Sequence, residues 1–76
     1  MKFLDIYFGS ATKLQTKEKT VNAFMNVYLE SKGRGLSLHS GTIYNNPNPI
    51  WDQHVSLSTE NDDDTLIIEL WNQNDQ

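Results

Sequence analysis

Apolar and polar side chains alternate along most of the chain, and a period of two places successive residues on opposite faces of a pleated strand. Five segments carry the alternation. In the first, Leu4, Ile6 and Phe8 share one face against Phe3, Asp5 and Tyr7, and Gly9-Ser10 marks a bulge or turn. The second sets Met25, Val27 and Leu29 against Phe24, Asn26 and Tyr28. The third is the poorest: Leu36 and Leu38 are in register before Ser40, Gly41 and Thr42 dilute the pattern, although Thr42-Ile43-Tyr44 favours extended backbone. The fourth reads Trp51, Gln53, Val55, Leu57 on an inner face and Asp52, His54, Ser56, Ser58 on a wet one. The fifth turns Leu66, Ile68 and Leu70 inward, opposite Ile67, Glu69 and Trp71.

Breakers separate the segments. Ser31-Lys32-Gly33-Arg34-Gly35 supplies two glycines that tolerate positive φ, Asn45-Asn46-Pro47-Asn48-Pro49 cannot continue a ladder, and Thr59–Asp64 is a polar, acidic connection. No helical stripe of useful length and no internal repeat interrupts them, so the pattern predicts one all-β unit. If consecutive strands run antiparallel, the connections fall alternately at two ends. One end then collects residues 13–22, the Asn/Pro turn at 45–49 and the tail after Trp71; the other collects the basic turn near Lys32 and the acidic run at 60–64. Loops on a rigid scaffold are the usual binding surface, and the first end is where function is expected.

Length and charge narrow the picture. A chain of 76 residues, 8.7 kDa, holds no more than one small domain, which hides about 60% of its unfolded surface on folding. There is no cysteine, hence no disulfide framework, thiolate metal site or cysteine nucleophile, which makes the cytosol the default compartment. No apolar run approaches the roughly 20 residues that span a bilayer, and a soluble chain without a signal peptide is expected. All six basic residues lie between Lys2 and Arg34, where only Asp5, Glu18 and Glu30 oppose them; from Gly35 onward there are seven carboxylates and no base, giving a net charge of −4. A nucleic-acid binder needs a concentrated basic face and is disfavoured. Any anion-binding surface comes from the first half, where Lys13, Lys17 and Lys19 surround Glu18.

The remaining chemistry-bearing residues favour structural roles. Asp62-Asp63-Asp64 begins like a calcium loop, yet Leu66 and Ile67 stand at the ligand and glycine positions such a loop requires, so a solvated loop is expected. Two histidines and no thiols make zinc a poor fit. Asp52, His54 and Ser56 resemble a triad in composition only, since residues two apart on a strand are separated by roughly 6.5–7 Å, beyond hydrogen-bond reach. No phosphate cradle, nucleophile elbow or HExxH stretch is present, and no enzyme is expected. Trp51 and Trp71 each belong to an apolar pattern and are assigned to packing.

Asn48-Pro49-Ile50-Trp51-Asp52-Gln53 resembles the Asn-Pro-Val-Trp-Asn-Glu turn of C2 domains. Leu66-Ile67-Ile68-Glu69-Leu70-Trp71-Asn72-Gln73-Asn74 is similar to the strand that ends in that family's Asp-x-Asp, and Ala11, Leu14 and Asn22-Ala23-Phe24-Met25-Asn26-Val27 to its Ala-x-x-Leu opening and Asp-Pro-Tyr-Val strand. The order holds over about residues 3–75, with Asn48, Pro49 and Trp51 the most specific part. The resemblance implies an antiparallel Greek-key β-sandwich that docks on phospholipid membranes or partner proteins. It implies calcium ligands at positions where this chain has Asn22, Asn72 and Asn74, leaving Glu18 the one first-loop carboxylate. Affinity for this hard dication falls with the number of charged ligands, so calcium binding is expected to be weak or absent and no cofactor is expected. The family has eight strands and this chain about five, which predicts a single C2-like domain over residues 1–76, incomplete at its C-terminal end.

The reading that follows is a docking module that binds anionic phospholipid without calcium through Lys13, Lys17 and Lys19, cytoplasmic and peripheral on membranes. The alternatives are a protein-interaction module whose partner, tandem module or second copy completes the sandwich through exposed strand edges, and a fragment of a larger C2-containing protein.

Overall fold

The alternation over residues 2–10 and 50–59 yields the longest pair of strands in the structure, a computed structural model that describes residues 2–17 and 20–73. Five strands form among the described residues: β1 (Lys2–Ser10), β2 (Ala23–Leu29), β3 (Leu38–His39), β4 (Ile50–Thr59) and β5 (Leu66–Asn72). β1 and β4 make one antiparallel sheet; the second has the order β3-β2-β5, also antiparallel throughout. The chain is all-β, as the periodicity predicts, and its two antiparallel sheets form the sandwich that the resemblance implies.

The inward faces are the ones the alternation names. Leu4, Ile6 and Phe8 lie opposite Leu57, Val55 and Gln53, and Phe8, Leu57, Ala23, Val27, Leu29 and Trp51 form the buried cluster between the sheets. Trp51 is 7% exposed, and its indole Nε1 donates to the Ala23 carbonyl at 3.1 Å, so the ring fills the gap while its polar atom bonds across to β2. The register slips opposite Gly9, but the extra residue lies on β4, where Trp51 and Asp52 stand against the single Gly9 and Asp52 takes a left-handed φ of 49°. The slip leaves Gln53 exposed, where its Oε1 accepts the Gly41 N–H at 2.7 Å.

Three expectations are corrected. Leu36 does not continue a strand: Gly33 turns the chain with φ 79° into a 3₁₀ turn at Arg34–Leu36, and Leu36 stays exposed. The third strand is therefore two residues long. Ser40 then breaks it, its N–H bonding the Met25 carbonyl while its Oγ accepts the Met25 N–H, before Ile43 bridges back to Ala23. Trp71 is not in the core. It is 43% exposed and stacks on Phe24 with centroids 6.5 Å apart. Ile68 and Leu70 face the inner groove beside Phe8, Met25 and Trp51, yet they remain 54% and 49% exposed, because no described strand covers that part of the sheet.

Candidate functional site

The loops sort to two ends as the antiparallel path predicts, and hydrogen bonds weld each end together. At the first end, the Asn/Pro turn holds the segment that follows β1. Pro49 is buried, its carbonyl accepts the Ala11 N–H at 3.0 Å, and the Pro47 carbonyl accepts the Leu14 N–H at 2.9 Å. Asn48 donates its N–H to Asn46 Oδ1 in an Asx-type turn and presents its own Oδ1 to the Lys13 N–H, both at 2.8 Å. This explains the Asn48-Pro49-x-Trp51 pattern physically: proline lacks a donor and offers only its carbonyl, asparagine shapes the turn, and tryptophan anchors its exit in the core.

Lys13 has a left-handed φ of 57°, fixed by that bond, and its side chain is exposed, as is that of Lys17. Within residues 11–17, 20–22 and 40–49 there is no carboxylate. Lys19 and Glu18, predicted beside them, lie outside the described residues, as does Asn74. The opposite end is acidic: Glu30, Glu60, Asp62, Asp63 and Asp64 stand against Lys2, Lys32 and Arg34, with Lys2 paired to Asp62 at 2.6 Å. Asp64 accepts the Ser31 N–H at 3.2 Å and the Ser31 hydroxyl, and these bonds hold its carboxyl below its ordinary value.

Asn22 and Asn72 come together at the first end, and both amides are engaged. Asn72 Oδ1 accepts the Asn22 N–H at 2.8 Å. Asn22 Oδ1 accepts the Asn45 N–H at 2.8 Å, and its Nδ2 donates to the Gln73 carbonyl at 3.1 Å. The Gln73 N–H returns to the Asn22 carbonyl at 2.7 Å, and Asn72 Nδ2 lies 3.4 Å from Thr16 Oγ1. The two asparagines thus tie together the loop before β2, the loop before β4 and the end of β5. Asn45, with φ 51°, is a member that sequence reasoning did not assign. Its left-handed conformation suits asparagine, but only tertiary pairing shows what its N–H bonds. Among the described residues, no group of three or more His, Asp or Glu side chains is placed to hold a metal ion.

Comparison with protein-family models returns the C2 domain, matched over residues 2–76. The chain belongs to the C2 domain family. No curated protein and no solved structure matches it. A C2 domain is a membrane- or protein-docking module in general, and that much holds for this C2 domain. Asn22 and Asn72 offer neutral oxygens already accepting backbone N–H groups, and a carboxylate at 22 would set a second oxygen against the Gln73 carbonyl.

Proposed function

We propose that this C2 domain docks on anionic phospholipid surfaces without calcium, through the loop end that carries Lys13 and Lys17, with Lys19 in the same segment. The observation that supports the reading is the pairing of roles at that end: the asparagines cross-link its loop segments, and Lys13 and Lys17 are exposed and supply positive charge, which Glu18 in the same stretch of sequence offsets in part. The acidic opposite end reinforces the orientation, since an anionic surface repels it. A lysine close to such a surface contributes about 1 kcal/mol, so two or three give weak binding, and useful affinity needs a second contact such as a tandem module.

Co-sedimentation with phosphatidylserine-rich vesicles, in calcium and in chelator, tests the reading. Binding is expected to ignore the chelator, and Lys13→Ala with Lys17→Ala is expected to weaken it roughly thirtyfold. Binding that requires calcium, or that survives reversal of these charges, overturns it.

A further inference from the structure

The turn between β2 and β3 carries positive charges that the lysine end does not use. Its sequence is Lys32-Gly33-Arg34-Gly35-Leu36-Ser37-Leu38, which sets a lysine five residues and an arginine three residues before a serine, with an apolar residue directly after it. Protein kinases discriminate among substrates by such charge patterns, and one whose cleft is lined by carboxylates takes cations at these two offsets. Arginine is the more selective of the two, because its planar fork engages a carboxylate through paired hydrogen bonds where lysine offers a point charge. Two other hydroxyls have a base at the nearer offset: Lys13 stands three residues before Thr16, and Lys17 three before Thr20. Both of these bases are lysines, and Ala11 and Gln15 occupy the farther offset, so Ser37 matches the pattern best.

The geometry leaves the segment free to extend. Ser37 is half-buried, its backbone is extended at φ −81° and ψ 156°, and its hydroxyl has no hydrogen-bond partner among the described residues. The turn closes on itself through short-range bonds, from the Leu36 N–H to the Gly33 carbonyl at 3.2 Å and from the Ser37 N–H to the Arg34 carbonyl at 3.1 Å. Opening it gives up these bonds, the exposed contact of Arg34 with Glu69 and that of the Lys32 ammonium with the Ser58 carbonyl. Solvated turns and exposed ion pairs lie at the low-stability end of a fold, so the segment enters a kinase cleft without unfolding of the sandwich.

We propose that Ser37 is a phosphorylation site for a protein kinase that recognises arginine at this offset, and that its phosphate takes the Arg34 guanidinium from Glu69. In the transfer the Ser37 Oγ bonds to the γ-phosphorus of ATP while the bond from that phosphorus to the β,γ-bridging oxygen breaks; ADP leaves, and the hydroxyl proton passes to the kinase's base. The product carries a charge of about −1.5 to −2 and three strong acceptor oxygens. A turn closed by an i→i+3 bond holds its first and last Cα atoms within about 7 Å, a gap that an arginine side chain spans, so phosphate and guanidinium meet inside the turn. The doubly charged phosphate attracts the guanidinium more strongly than the single charge of Glu69 does. Glu69 keeps its Asn26 and Trp71 donors, both at 3.2 Å, but loses its cation, and the contact that ties the turn to β5 is released.

Incubation of the folded chain with ATP and the catalytic subunit of cyclic-AMP-dependent protein kinase, with the modified residue located by mass spectrometry, tests the site. Phosphate is expected on Ser37, and Arg34→Ala is expected to slow its incorporation roughly tenfold, with Arg34→Lys in between. Titration of the Glu69 carboxyl by NMR tests the exchange of partners. Phosphorylation of Ser37 is expected to raise its midpoint toward the ordinary value, because the Arg34 hydrogen bonds are what chiefly hold it down, and Ser37→Ala treated in the same way is expected to leave it in place. Three outcomes overturn the proposal: an unmodified Ser37, whether or not Thr16 or Thr20 takes phosphate; an incorporation rate that Arg34→Ala leaves unchanged; and a Glu69 titration that the phosphate does not move.

Discussion

At Asn22 one amide performs two opposite tasks, accepting from the Asn45 N–H with Oδ1 and donating to the Gln73 carbonyl with Nδ2. A carboxylate can do only the first. Asn22→Asp is therefore expected to cost about 1–3 kcal/mol, the penalty for setting an oxygen against a carbonyl in place of a donor. Asn72→Asp keeps its acceptor role toward the Asn22 N–H and gives up only a 3.4 Å contact, so a cost below about 0.5 kcal/mol is expected. Denaturant midpoints of the two variants check the order, and equal losses would show that the donor at 22 is not what matters. Trp51 is a second such residue. Trp51→Phe keeps most of the apolar ring and removes the indole donor from the Ala23 carbonyl, which still accepts the Ile43 N–H, with an expected loss of about 1 kcal/mol. The tryptophan itself is legible in the sequence as a packing residue; the carbonyl it bonds is not, since 28 residues separate the partners.

Between elements, the contact with a pH signature is the one that joins the 3₁₀ turn to β5. Arg34 Nε and one terminal guanidinium nitrogen reach the two Glu69 oxygens at 3.2 and 2.5 Å. The guanidinium lies over the Tyr28 and Trp71 rings, 5.6 and 6.0 Å from their centroids. The Arg34 hydrogen bonds hold the Glu69 carboxyl below its ordinary value, helped by the Asn26 and Trp71 donors. A carboxyl depressed in the folded state contributes stability that is present above its unfolded value and lost as pH falls through the folded one. Denaturation midpoints are thus expected to drop on acidification below about 4.5, and Glu69→Gln is expected to flatten that limb; an unchanged limb would assign it to other groups, Asp64 first among them. The bulge is also a matter of two elements. A Cβ at Gly9 would lie 3.1 Å from the Tyr7 ring, whose hydroxyl donates to Asp52 Oδ1 at 2.7 Å and is thereby held above its ordinary pKa. Gly9→Ala is expected to cost about 1 kcal/mol, and less in a Tyr7→Ala background, a coupling that a double-mutant cycle measures. Gly9-Ser10 is readable as a bulge or turn, whereas the left-handed Asp52 opposite it is not, because nothing in Trp51-Asp52-Gln53 taken alone breaks a strand.

Across the whole molecule, charge is divided between the two loop ends. Lys13 and Lys17 stand at one end, and the acidic residues 60–64 with Glu30 at the other. A patch of exposed charge acts over about a Debye length, roughly 10 Å at 0.1 M salt and 3 Å at 1 M. Vesicle binding through the lysine end is accordingly expected to vanish as salt rises over that range, with calcium making no difference. Binding that persists at high salt would point to apolar insertion in place of charge.

The local pattern of residues by itself determined the positions of β1, β2, β4 and β5, the inward faces of β1, β2 and most of β4, the turn at 45–49 and the sorting of loops to two ends. Each follows from period-two alternation or from the backbone chemistry of proline, glycine and asparagine, which act over a few residues. It also carried the C2 motif, since Asn48, Pro49 and Trp51 are bound to one turn and its exit. What only the tertiary structure decided is which of those groups meet across 23 to 51 residues of chain: Asn22 with Asn45, Asn72 and Gln73, Arg34 with Glu69, and Trp51 with Ala23. It also decided that Leu36 turns out into solvent, that Trp71 stacks outside the core and that Ile68 and Leu70 remain uncovered. Spacing along a strand says which side chains share a face. Whether another strand lies over that face depends on long-range pairing, which no local pattern encodes.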